Sequence, residues 1–155
     1  MPTILVIDDD PKFLAEAAEL IAGAGYDVLR AADAVEAVEV LEKSHGGIDL
    51  VIVDLSLPGT NGFEMIGALS RRPNPIKIIA TTAVYQDQFL EMTRALGAHA
   101  AVRKPPEGKP LSEKEWVDTI RRLIGGAAPR ERFQAVGAGG LDNDSEPNNG
   151  RKTNR

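Results

Sequence analysis

Between Thr3 and Ile124 the chain alternates short apolar runs of strand length with longer segments whose apolar residues recur at helical spacing, five times over. The runs are Thr3 to Ile7, Asp27 to Ala31, Leu50 to Val53, Ile76 to Thr81 and Ala100 to Val102. Most are continuous Ile, Leu and Val, which suits strands of a parallel sheet buried on both faces, since a solvated face would demand alternation. The helical segments carry their own boundaries. Asp10 and Pro11 supply an N-cap and a first helical residue, Phe13, Leu14, Ala17, Leu20, Ile21 and Ala24 then share one face, and Gly25 stops the helix. Asp33 with Glu36, and Ser112 with Glu115, have the capping-box spacing at the starts of the second and fifth helices. Gly62 to Arg71 and Tyr85 to Leu96 supply the third and fourth.

Strict strand–helix alternation with short, right-handed connections predicts an α/β doubly wound sandwich, and five strands favour the flavodoxin-like order 2-1-3-4-5 with five helices. From Gly125 onward the composition turns to Gly, Asn, Asp, Pro and Arg, so a folded domain is expected over residues 1–124 and a flexible, disordered tail over 125–155. Residues 1–124 carry 13 Lys and Arg against 19 Asp and Glu, and the tail 5 against 4, so the excess of acidic residues behind the net charge of -5 lies in the domain. An acidic domain argues against nucleic acid as a direct partner. The absence of cysteine removes disulfides, thiolate nucleophiles and Cys-ligated metals. No uncharged apolar run approaches the roughly 18 residues that cross a bilayer, and Thr3 to Ile7 has no basic segment before it, so no membrane partner and a cytoplasmic location are expected.

Ligands of such sheets bind beyond the carboxyl ends of the strands at the switch point, where strands one and three are neighbours. Strand one runs into Asp8 and Asp9, strand three into Asp54, strand four into Thr82, and strand five leads through Arg103 to Lys104 and Pro105. Two unit charges about 4 Å apart repel by roughly 4 kcal/mol at an effective dielectric of 20. Three facing carboxylates therefore require either a protonated carboxyl or a hard divalent cation, and so few oxygens favour Mg²⁺. Such a cation would also hold an oxygen of an incoming phosphoryl group, with Lys104 and the Thr82 hydroxyl on two others and one carboxylate as nucleophile. Asp54, alone at the tip of the central strand, is the best nucleophile, and Asp8 with Asp9 suit the metal. Taken singly, Asp10 is most simply an N-cap, Asp54 a turn residue, Thr82 a strand-end hydroxyl and Lys104 a surface charge. The functional reading rests on all four requirements meeting at the strand ends that the fold brings together.

The segments ILVIDDDP, DLVIVDLSLPGTNGFEMI, IIATTA and ALGAHAAVRKP, in that order, resemble the motifs of bacterial response-regulator receiver domains over residues 3–124. The resemblance implies a phosphoacceptor switch of two-component signalling rather than an enzyme. Asp54 would be the phosphoacceptor, Asp8 and Asp9 the acidic pocket with Asp9 a direct Mg²⁺ ligand, and the Ser56 backbone carbonyl a further ligand. It also implies Thr82 as the switch hydroxyl, Lys104 as the phosphate-binding lysine, and Pro105 as the family's proline, often preceded by a cis peptide. The donor would be a phosphohistidine on a sensor histidine kinase or a histidine phosphotransfer protein, and the output, with no DNA-binding domain in the tail, a protein–protein interaction through helices one and five.

Three positions depart from the family pattern. Ala101 stands where many relatives carry Tyr or Phe, so the usual aromatic rotamer switch has no side chain to move. Ser56 and Val84 flank the attacking water's route in relatives and position water poorly, and Pro106 follows Lys104 and Pro105 in a stiff entry to helix five. Trp116, the single tryptophan, offers a reporter on that helix. Two other readings are weighed against the switch. Asp8 and Asp10 have the spacing of a haloacid-dehalogenase-type phosphatase, which needs further acidic ligands after the lysine, where Pro105, Pro106 and Glu107 stand instead. A pseudo-receiver, docking partners without phosphorylation, keeps the fold and is favoured by Ala101 but not by the intact Asp, Thr and Lys set.

Overall fold

A computed structural model describes residues 1–57, 62–83 and 87–126. Its elements run β1 (Thr3–Ile7), α1 (Pro11–Gly23), β2 (Asp27–Ala31), α2 (Ala34–Lys43), β3 (Leu50–Asp54), α3 (Gly62–Ser70), β4 (Lys77–Thr82), α4 (Asp87–Leu96), β5 (Ala100–Arg103) and α5 (Glu113–Ile124). The strands form one parallel sheet in the order β2-β1-β3-β4-β5, the expected flavodoxin-like arrangement.

Continuous apolar runs arise because each inner strand is buried on both sides. Ile4, Val6, Leu50, Ile52 and Ile79 point to the side packed by Phe13, Leu14, Ala17 and Ile21 of α1 and Trp116 and Ile120 of α5. Leu5, Ile7, Val51, Val53, Ile78 and Ala80 point to the other, packed by Ala37 and Leu41 of α2 and Met65, Ile66 and Leu69 of α3. Burying one such side chain is worth roughly 1.5–3 kcal/mol, so the two cores fix the sheet's register against a one-residue slip.

The caps form as the spacing predicts. Asp10 accepts from the Lys12 amide at 3.0 Å, Asp33 from the Glu36 amide at 2.8 Å, and Ser112 from the Glu115 amide at 3.2 Å. Glu36 returns the favour one residue earlier than a strict box, accepting from the Ala32 amide at 2.7 Å. Beyond α1, Gly25 sits at φ 103°, the left-handed region that a side chain would resist.

Several boundaries differ from the sequence expectation. The third, fourth and fifth strands each extend one residue further, to Asp54, Thr82 and Arg103, because ladder hydrogen bonds use the backbone and continue past the last apolar side chain. The fourth strand starts at Lys77 rather than Ile76, and the third helix ends at Ser70 rather than Arg71. Tyr85, Val84 and the tail beyond residue 126 lie outside the described residues, and no helix among those described is long and apolar enough to cross a membrane.

Candidate functional site

Parallel pairing of β1 with β3 sets Ile7 beside Val53, so the residues that follow emerge together at the carboxyl edge of the sheet. There Asp8, Asp9 and Asp54 each place a carboxylate oxygen within 4.8 Å of the others. Asp8 and Asp54 are buried, at 1% and 3% exposure, while Asp9 faces solvent. Asp8 is held on both oxygens, Oδ1 accepting from the Asp10 amide at 2.9 Å and Oδ2 from the Lys104 ammonium at 2.8 Å. Asp54 Oδ1 accepts from the Ser56 amide at 2.9 Å, and its Oδ2 lies 3.7 Å from Lys104 Nζ.

Lys104 thus bridges the two buried carboxylates. Its backbone continues the ladder past β5, the amide donating to the Thr82 carbonyl at 3.0 Å, so the strand end aims the side chain over the cluster. Thr82, mostly buried, closes β4 between the strand ends that carry Asp54 and Lys104. The crowding leaves its mark on both titrating partners. Burial, with the Asp8 and Asp9 charges adding to it, raises the Asp54 pKa above the ordinary carboxylate value against the opposing Ser56 amide and Lys104. For Lys104 burial alone would lower the pKa, but the Asp8 hydrogen bond and the charges of Asp8, Asp54 and Asp10 outweigh it and hold the ammonium above its usual value.

The sequence reading offered a proton or a divalent cation as relief for the repulsion among the carboxylates. The structure supplies a third means, the Lys104 ammonium itself. It does not remove the case for a cation, because the exposed Asp9 carboxylate has no such partner in the Lys104 ion pairs and all three oxygens converge. That donor set, hard oxygens on a partly open rim, fits a small divalent ion that keeps several waters.

The remaining expected residues are distributed as follows. Ser56 stands in the turn after β3, its amide already committed to Asp54. Ala101, half-buried on β5, borders a small pocket with Leu55, Ala80, Thr82 and Phe89, so α4 side chains, not an aromatic on β5, stand near Thr82. The Lys104–Pro105 peptide is trans, against the cis bond that the family pattern suggested; the bend after β5 is taken up by the Pro105–Pro106 segment and a turn in which Lys109 donates to the Pro106 carbonyl. Asp10 is the N-cap of α1 and lies outside the Asp8, Asp9, Asp54 cluster, so the carboxylate that joins Asp8 at the site is Asp9 rather than the Asp10 of the phosphatase spacing. One residue at the site was read only as core. Phe13 lies under Lys104, its ring centroid 4.6 Å from Nζ. Its place one turn into α1, just after the acidic pair, was the only signal.

Comparisons with known proteins agree with this fold. The response regulator receiver domain model matches residues 4–114. CpxR, a transcriptional regulatory protein of Escherichia coli strain K12, is 31% identical over 124 residues, covering 80% of this chain and 50% of CpxR. DivK, a polar-differentiation response regulator of Brucella ovis, is 26% identical over 127 residues, covering 81% and 98%. The CckA sensor kinase of Brucella abortus is 29% identical over 122 residues, 79% of this chain but 12% of the kinase. The chain therefore spans a small part of one such relative, half of another and nearly all of a third. The solved chemotaxis protein CheY4 of Vibrio cholerae superposes with a TM-score of 0.71 at 25% identity, over 80% of this chain and 99% of CheY4. Sheet order, converging carboxylates and a match across most of the domain lead to one assignment: the chain belongs to the response regulator receiver domain family of two-component signalling.

Proposed function

We propose that Asp54 accepts a phosphoryl group from a phosphohistidine on a sensor histidine kinase or a histidine phosphotransfer protein, and that this changes which proteins the domain binds. The observation that carries the reading is the Lys104 ammonium poised between two buried carboxylates at the rim of the sheet. An Asp54 oxygen attacks phosphorus in line as the phosphorus–nitrogen bond breaks, its electrons staying on the departing imidazole. Lys104 leaves its bond with Asp8 to meet the new phosphoryl oxygens, and the Thr82 hydroxyl donates to another. The Ser56 amide keeps the Asp54 side chain oriented throughout.

Asp8, Asp9, Asp54 and the Ser56 carbonyl would hold Mg²⁺. When bound, that ion neutralises charge on the transferring group. The chain acts as a stoichiometric acceptor, not a turnover enzyme. The test is uptake from acetyl phosphate with Mg²⁺, read by intact mass: one phosphoryl group in wild type, none in Asp54→Asn. Uptake that persists in Asp54→Asn refutes the site. The position of Ala101 favours a second reading, a docking module indifferent to phosphorylation, which equal partner affinity of wild type and Asp54→Asn would select.

A further inference from the structure

Three side chains form a continuous stack from the carboxylates into the α1–α5 core. Lys104 Nζ lies 4.6 Å above the centroid of the Phe13 ring, and that ring meets Trp116 edge-on, centroids 6.0 Å apart at 64°. Phe13 and Trp116 are buried, at 6% and 1% exposure, and the Lys104 side chain is 15% exposed. A lysine is a compact charge on a flexible stem, and hydrogen bonds to Asp8 alone would let it settle against that carboxylate. An aromatic face attracts the ammonium from below, the more so where water is scarce.

We infer that Phe13 is a positioning residue for Lys104 and couples its movement to Trp116 on α5. The inference rests on the phosphoacceptor reading of Asp54, since it is the arrival of phosphoryl charge that draws Lys104 from Asp8. As the ammonium shifts across the Phe13 ring, the ring's edge contact with Trp116 changes, and the signal reaches α5 by way of α1. This route uses neither β5 position 101 nor α4. It gives the domain a path from site to surface that Ala101 does not interrupt.

The experiment reads two quantities on the same samples, the rate of phosphoryl uptake from acetyl phosphate with Mg²⁺ by intact mass, and Trp116 emission, the chain's single tryptophan signal. Wild type should take up one group with a change in emission. Phe13→Leu, which keeps bulk but removes the ring, should slow uptake roughly three- to tenfold, the size that a partly desolvated cation–π contact supports, and abolish the emission change once fully phosphorylated. Phe13→Tyr should restore both, which a merely space-filling role would not require. Should Phe13→Leu fail to fold, Phe13→Met makes the same comparison. Wild-type uptake without any emission change, or Phe13→Leu matching wild type in rate and emission, overturns the inference while leaving Asp54 as acceptor. No uptake by wild type overturns the phosphoacceptor reading and this inference with it.

Discussion

Burying the Asp54 carboxyl carries an energetic cost. The buried group binds a proton more tightly in the folded chain than in the unfolded one, where the pKa is about 3.9. The sign follows from linkage: this group favours folding below that unfolded value, and the contribution is lost as pH rises through the elevated folded value. At neutral pH without divalent ions, Asp54→Asn should therefore melt higher than wild type, with the gap closing as pH falls toward about 4. Mg²⁺ should narrow the gap at neutral pH, because a ligand that binds only the folded wild type stabilises it. Thermal melts of the two proteins across pH, with and without Mg²⁺, check both statements; a wild type that melts higher throughout would refute them. The carboxylates and Lys104 were legible in the sequence because strand ends of a parallel sheet converge whatever the side chains are. Phe13 was not, since helical periodicity assigns it to the core and does not say that one face of its ring lies under a charge.

At the scale of elements, the approach of α3 to the end of β3 depends on Gly62. A Cβ there would stand 2.5 Å from Leu55 Cα and press on the Asp54 carbonyl, backbone that cannot move aside without shifting the site. Gly62→Ala should cost about 1–3 kcal/mol, measured by urea unfolding. The junction of β4 and β5 has a different weakness. His99 closes the ladder with both its amide, which donates to the Ile78 carbonyl at 2.8 Å, and its Nδ1, which accepts from the Ile78 amide at 3.1 Å. Only an unprotonated Nδ1 accepts. Burial, and then the Lys77 charge, hold the imidazole pKa below its usual value. Stability from this contact is thus complete above about pH 6.5 and is lost as pH falls through the lower folded value. Wild type should lose more stability than His99→Asn over that fall, by urea midpoints at a series of pH values. The strand interiors were readable because both faces are apolar. Their last residues were not, because side-chain hydropathy turns polar at Asp54, Thr82 and Arg103 while the backbone ladder runs on through them.

For the molecule as a whole, one hydrogen bond joins positions 99 residues apart. The Tyr26 hydroxyl, on a fully buried ring before β2, donates to the Gly125 carbonyl just past α5 at 2.7 Å. Tyr26→Phe should lower stability by about 1 kcal/mol in urea unfolding. No local pattern in the sequence indicates this pairing; it follows from α1 and α5 sharing one side of the sheet, which only the topology specifies. The same contact lies on one pole of the described domain. Asp27 donates its amide to the Pro2 carbonyl at 3.0 Å, and Ile124 borders one shallow depression with Pro2, Asp49 and Pro75. Pro2 and Ile124 therefore meet at the pole opposite the carboxylates, and a tether placed at residue 2 would hold the domain to a bead or sensor chip with its acidic rim facing outward.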